Sequence, residues 1–265
     1  MITSLNATLV SGDIVRNILG NIWVGTKRMD RRSLFRYIEQ PERRENIIET
    51  LYIRPESMQS VLTLSKIAEP MTRSILQESG SSITGIVIYR TKEEVVVVEP
   101  PFRVLKDSML PAEDATMLKD IFDDTRCVGV VLLRLGRYAV GVLRGEVLLA
   151  TKTDRRYVKN RHRAGGSSQR RFERSRQRLI RELYDKVCVV AFETFQPYES
   201  LISNIFFGGE KQTIRGFQKR CKPISSMRSK FHPRILQVDA PNQKALESIH
   251  REVSMSTVRT FRAIH

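Results

Sequence analysis

Apolar and polar residues alternate along this chain with two different periods, and the changes of period mark its elements. The runs ITGIVIYR (Ile83–Arg90) and EVVVVEP (Glu94–Pro100) are rich in β-branched residues and joined by the turn TKE, which predicts a pair of strands. Ahead of them, Asp30–Thr50 is charged and helix-like. The stretch from Ser57, SMQSVLTLSKIAEPMTRSILQES, keeps helical periodicity up to a break near Pro70, and Gly80–Ser82 opens a loop. Glu99–Asp114 holds three prolines, which block regular structure and suit a connection between domains. The boundary is expected near residue 120, dividing the chain into 1–120 and 121–265.

Beyond that point three apolar runs follow one another: CVGVVLLRL, RYAVGVLR and EVLLATKT, separated by short turns around Gly136 and Gly145. They predict an antiparallel meander. Gln169–Val187 then has apolar side chains at Phe172, Leu179, Ile180, Leu183 and Tyr184, within one face at 100° per residue, and Arg170, Arg174, Arg178 and Arg181 on the other. Such a helix lies on the sheet by its apolar stripe, with its N-terminal end and the loop before it projecting. The remainder alternates: CVVAFE as a strand, a helical linker through Ser203, then IFFGG, KQTIRGFQKRC, RILQVDA and NQKALESIHREV. The expected fold class is α/β, an N-terminal mixed α/β domain followed by a C-terminal layered α/β domain with a mixed sheet.

Charge changes the picture more than composition does. The 265 residues are 41% hydrophobic, enough for a buried core, yet they carry a formal charge of +16. Ten arginines and one lysine between Arg155 and Arg181 face a single acid, Glu173, so this short stretch holds most of the net charge. A face charged for solubility alone mixes both signs, as EQPERRENIIE does. The expected partner is a polyanion, RNA before an anionic membrane. Cys127, Cys188 and Cys221 are odd in number, widely spaced and free of CxxC, which reads as a reduced, cytoplasmic protein without structural zinc. His162, His232, His250 and His265 show no metal spacing, so no metal and no cofactor are expected. The longest apolar run, CVGVVLL, is too short to span a bilayer.

Two motif readings fall away. FFGGEKQT lacks the GxxxxGK[ST] spacing of a phosphate loop and reads as a strand-to-helix turn. A meander followed by helices and strands also serves RNase H-like metal nucleases, but those need strand carboxylates, and Glu146 is the only acid between Cys127 and Thr153.

What remains is KNRHRAGGSSQRRFERSR. This stretch resembles the catalytic loop of the middle domain of eukaryotic and archaeal class I translation termination factors: a basic segment, a Gly-Gly-Gln tip, and a helix opening with Arg-Phe. Gly165 and Gly166 match the glycine pair, and Arg171 with Phe172 matches the helix start. Ser167 stands where the family has its glutamine, and Gln169 follows two places later, an arrangement closer to the release-factor-like hydrolases of ribosome quality control and their bacterial and archaeal relatives. The resemblance runs from Cys127 to His265. It implies a peptidyl-tRNA hydrolase working on the large ribosomal subunit, with the basic loop 155–168 as its catalytic element.

The physical logic agrees. The scissile bond of peptidyl-tRNA lies at the end of a polyanion in a site walled by RNA phosphates, so a hydrolase must reach it on a positive arm. Arg155, Arg156, Lys159, Arg161, Arg163, Arg170, Arg171 and Arg174 are the candidate RNA-binding arm. Gly165 and Gly166 allow close backbone approach at the reacting end. Backbone N–H groups there stand ready for a developing oxyanion. Gln169, with Ser167 as its rival, is the candidate to orient water; a neutral amide positions rather than removes a proton. Phe172, on the apolar stripe, is expected in the core. The resemblance leaves two bonds open, the peptidyl ester and a phosphodiester near the tRNA 3′ end. The first 120 residues carry no motif assignable to decoding, which favours rescue over codon-dependent termination. The displaced glutamine supports one rival, a non-catalytic ribosome or RNA-binding factor that keeps the fold and the basic loop.

Overall fold

The computed structural model describes residues 21–63, 75, 82–111, 116–123, 125–159 and 167–263. The chain folds into two compact units, Met1–Phe122 with Ser254–His265, and Asp123–Val253. In the first lie strands β1 (Asn21–Met29), β2 (Ile47–Ile53), β3 (Ile86–Thr91), β4 (Glu94–Glu99) and β5 (Ser108–Pro111). The second holds β6 (Cys127–Arg134), β7 (Arg137–Arg144), β8 (Val147–Arg155), β9 (Ile202–Gly209) and β10 (Phe231–Leu236), after which β11 (Ser256–Ala263) returns to the first. The helices are α1 (Arg31–Ile38), α2 (Pro41–Arg44), α3 (Met58–Thr63) and α4 (Thr116–Ile121), then α5 (Ser167–Phe195), α6 (Lys211–Arg220), α7 (Lys222–Ser225) and α8 (Gln243–Val253).

The first unit is built on a six-stranded antiparallel sheet in the order β1-β11-β4-β3-β2-β5. Successive side chains of a strand point to opposite faces, and Val95, Val96, Val97 and Val98 are all buried, so β4 is covered on both sides. Sequence contiguity would give the last residues to the C-terminal domain of residues 121–265. They belong instead to the first unit, because β11 buries Val258 and Phe261 and pairs residue by residue with both β1 and β4, setting Arg262 against Glu94. The proline-rich connection also contains a strand: β5 pairs with β2 at the sheet edge and ends on Pro111, where a missing N–H interrupts no ladder. Asp30–Thr50 is helical only through α1 and α2 before β2 begins.

In the second unit β6, β7 and β8 form the expected meander, with β9 and β10 added in parallel beside β6, giving the order β10-β9-β6-β7-β8. Gly136 and Gly145 turn the chain with φ of 98° and 58°, a region that favours glycine. The helix α5 packs Leu183, Val187, Ala191 and Phe195 onto the face presenting Val131, Leu133, Val140 and Val142. The Phe195 ring lies so close to Gly129 that a Cβ there would sit 2.9 Å from it. On the opposite face Leu246 of α8 approaches Gly141, so the sheet is a middle layer between helices. CVVAFE continues α5 rather than starting a strand, since Val187, Val190 and Ala191 extend the buried stripe at helical spacing. The linker after it is a single 3₁₀ turn, Gln196–Tyr198.

The expectation of three reduced thiols is corrected: Cys188 on α5 and Cys221 at the end of α6 form a disulfide, with Cα atoms 5.3 Å apart. Packing of α6 along α5 brings the two together. Cys127 remains a buried thiol, and burial raises its pKa.

Candidate catalytic loop and RNA interface

The loop grows from the outer edge of the second sheet. β8 is the edge strand, and its residues from Thr151 to Arg155 are solvent-exposed. At its end the Asp154 carboxylate accepts from the Tyr138 hydroxyl at 3.5 Å and from the Arg155 N–H at 2.7 Å. Tyr138 is buried, and burial together with the charge of Asp154 pushes its pKa up to about 12.

From there the chain is strapped to α5. The Arg156 N–H donates to the Gly136 carbonyl (3.0 Å), and its guanidinium to Glu182 on α5 (2.8 Å). Lys159 Nζ donates to Ser175 Oγ (3.2 Å), while Arg176 Nε donates to the Lys159 carbonyl (3.0 Å). Val158 packs against the core between these straps. The last described residue before the loop is therefore fixed beside Ser175, whereas the helix begins at Ser167. At 1.5 Å per residue, α5 continues roughly 12 Å beyond that anchor. Gln169 through Arg174 are all exposed along this spur.

The two stems thus bracket residues 160–166. Gly165, Gly166, Arg161 and Arg163 lie outside the described residues. Ser167 is the first residue of α5. Gln169 sits in its first turn, exposed, where the N–H groups of a helix lack intrahelical acceptors and the dipole is positive. Arg155, Arg170, Arg171 and Arg174 present exposed side chains at this end. Arg156 and Lys159 are in addition bonded to the helix, at Glu182 and Ser175. Phe172 is not in the core: it is 44% exposed, with Lys159 Nζ 4.9 Å from its ring centre, because the first two turns of α5 extend past the sheet. Ser175, Arg176 and Glu182, which complete the straps, were not singled out by sequence reasoning. The one available signal was that Glu182 is among the few acids on an arginine-rich helix.

Among the described residues no group of three or more His, Cys, Asp or Glu side chains converges as a metal site, and no helix is long and apolar enough to cross a membrane. The model of the Actinobacteria/Chloroflexi VLRF1 release factor matches residues 126–259, half of the chain, from the start of the meander through the loop stems and into β11. This chain belongs to the VLRF1 release-factor family. Two curated relatives of this VLRF1-family chain are named peptide chain release factor subunit 1. The protein from Archaeoglobus fulgidus is 31% identical over 142 residues, 51% of this chain and 34% of that one. The Methanopyrus kandleri protein is 30% identical over 142 residues, again 51% and 34%. The chain therefore spans about a third of the length of these relatives. Among solved structures, the archaeal translation termination factor aRF1 is similar over 85% of this chain and 72% of its own, at 15% identity and a TM-score of 0.35. The Vms1 mitochondrial localization core is similar over 82% and 92%, at 15% identity and a TM-score of 0.41.

Proposed function

We propose that this VLRF1-family chain is a cytoplasmic peptidyl-tRNA hydrolase that releases nascent chains from stalled large ribosomal subunits. Water attacks the carbonyl carbon of the ester, the bond to the ribose 3′-oxygen breaks, and the products are a peptide carboxylate and a tRNA 3′-hydroxyl. Gly165 and Gly166 let the backbone reach the ester, and Gln169 orients the water, with Ser167 as the competing group. Backbone N–H groups at the start of α5 face the charge that grows on the carbonyl oxygen. Arg155, Arg161, Arg163, Arg170, Arg171 and Arg174 neutralise the RNA around it, while Arg156 and Lys159 keep the arm stiff.

What supports this reading is the strapped stem. Family membership says which protein class the chain falls in, and the stem supplies the mechanics: a positive helical spur about 12 Å long, anchored at Lys159 and bearing Gln169 near its end. An arm that only had to attract RNA would need charge but no such anchoring.

The test incubates the protein with large subunits carrying labelled peptidyl-tRNA and resolves peptide, full-length tRNA and shortened tRNA. The expected result is free peptide with full-length tRNA, falling about 10²–10³-fold in rate for Gln169→Ala or Gly166→Ala while subunit binding holds. Loss confined to Ser167→Ala would move the water-orienting role to Ser167. Shortened tRNA would move the reaction to the phosphodiester. Binding without any release would leave the non-catalytic ribosome factor as the correct reading.

A further inference from the structure

The second unit carries a cleft on α5 that begins at Arg176, behind the loop stem. Helices α5 and α6 wall an open groove of about 880 Å³. Leu135, Ile180 and Tyr184 supply its apolar lining, Ile180 and Tyr184 each being 9% exposed. Two amides stand on facing walls, Gln212 and Gln177, the latter donating to Glu173 at 2.8 Å, and five cations line the groove against one acid, Glu210. Two of the cations are engaged: Arg220 makes a bidentate pair with Asp185 at 2.6 and 2.7 Å, and Arg176 holds the Lys159 carbonyl. Arg181, Lys219 and Lys222 are left exposed along the groove.

The Cys188–Cys221 disulfide and the Arg220–Asp185 pair both join α5 to the C-terminal end of α6, tying the two walls together at that end of the groove. Gly216 faces Tyr184 so closely that a Cβ would stand 2.8 Å from the phenol oxygen, so glycine at this position leaves room for that ring.

Its chemistry is that of one nucleotide and its flanking phosphates. An apolar lining suits the face of an unstacked base, side-chain amides suit base edges, and three exposed cations suit phosphates. The volume lies within the range of small-molecule sites, yet the groove is open enough for a strand to continue beyond it. Arg170, Arg174, Arg178 and Arg181 form a row of exposed cations from the spur to this groove, and the thirteen residues from Gln169 to Arg181 cover roughly 18 Å of helix. We propose that the α5–α6 cleft binds single-stranded RNA, seating one unstacked nucleotide against Ile180 and Tyr184 with Arg181, Lys219 and Lys222 on its phosphates. The proposal rests on the reading above in one respect, that the partner of the basic unit is RNA. It adds a second contact, remote from the reacting bond.

The test uses the full chain with a single-stranded RNA 12-mer containing 4-thiouridine, photo-crosslinked and mapped, beside its affinity for the same RNA in Lys219→Glu/Lys222→Glu. Crosslinks within residues 176–184 or 212–222 are expected, with affinity reduced roughly tenfold and the log-log salt slope shallower by about 1.4, for two phosphates of a single strand. Both side chains are exposed, so an unchanged melting temperature in the variant shows that the loss is one of contact. Crosslinks confined to residues 155–174 with unchanged affinity overturn the proposal. So does polyglutamate binding that exceeds RNA binding and vanishes in the variant, which would assign the groove to an acidic protein. The outcomes separate from those of the release assay. Crosslinks in the cleft without peptide release sink the hydrolase reading alone, and release with crosslinks that miss the cleft sinks this one.

Discussion

The two units carry their charges in opposite ways. Met1–Phe122 with Ser254–His265 holds 18 Lys and Arg against 16 Asp and Glu, near neutrality, whereas Asp123–Val253 holds 27 against 13, a net of +14. In the first unit the cations meet acids across the sheet: Arg43 with Glu94, Arg90 with Glu49 at 2.9 Å, Arg54 with Asp107 at 2.8 Å. In the second a few pairs brace the loop stem and the cleft, and most of the remaining cations face water. Mixed charge of the first kind serves fold and solubility; a single-sign field is costly to keep together unless an anionic partner offsets it. The difference places the single-sign field on the second unit, the side on which the proposed contact with RNA would be made.

The largest expected effect tests that assignment directly. Reversing four exposed cations of the second unit, Arg155, Arg170, Arg171 and Arg174, to glutamate should lower affinity for single-stranded RNA roughly a hundredfold at physiological salt and flatten the salt slope by about 3. Reversing four exposed cations of the first unit, Lys27, Arg36, Lys92 and Lys106, should change affinity less than about threefold, the long-range part being screened within a Debye length. Equal losses from the two sets, read by anisotropy titration across a salt series, would erase the distinction.

A smaller effect sharpens it. All three cysteines lie in the second unit, and the disulfide between Cys188 and Cys221 closes a loop of 33 residues there. Removing it, by reductant or by Cys188→Ser with Cys221→Ser, should cost that unit about 2–4 kcal/mol and leave the first unit unaffected. Hydrogen exchange resolved along the chain in urea reads the two separately. Three thiols titrating in the native, non-reduced protein would show that the pair is open, as a reducing compartment favours.

How far the sequence anticipated this depends on how locally each feature is encoded. The meander was legible because its apolar runs are continuous and broken at Gly136 and Gly145, both of which take positive φ. The last strand was not. Ser256–Ala263 has few apolar positions, and what fixes it is pairing with β1 and β4, far away in sequence. The length of α5 was underestimated because CVVAFE, rich in valine, satisfies a strand template until its packing partners are known. At the site, the basic arm was visible from composition alone, whereas the division of labour within it was not: Arg156 and Arg155 are adjacent, yet one braces Glu182 and the other faces solvent. The cleft was invisible for the same reason, since Arg181 and Lys219 meet only when α6 lies along α5.

The smallest expected effect concerns the root of the loop. Tyr138 sits buried in the core of the second unit with its hydroxyl on Asp154, the last carboxylate before the stem. An unfolded phenol ionises near pH 10, while burial and the neighbouring carboxylate hold this one protonated until about 12. A folded-state pKa raised above the unfolded value means that the contribution is whole below pH 10 and drains away as the pH climbs towards 12. Stability of the second unit should therefore fall across that window. Tyr138→Phe, which removes the ionising hydroxyl, should flatten the fall while losing one weak hydrogen bond at neutral pH. Urea midpoints for β7 and α5, followed by hydrogen exchange from pH 9 upwards, measure it. Parallel alkaline limbs in the two proteins would mean that Tyr138 is not the group whose ionisation loosens the base of the arm.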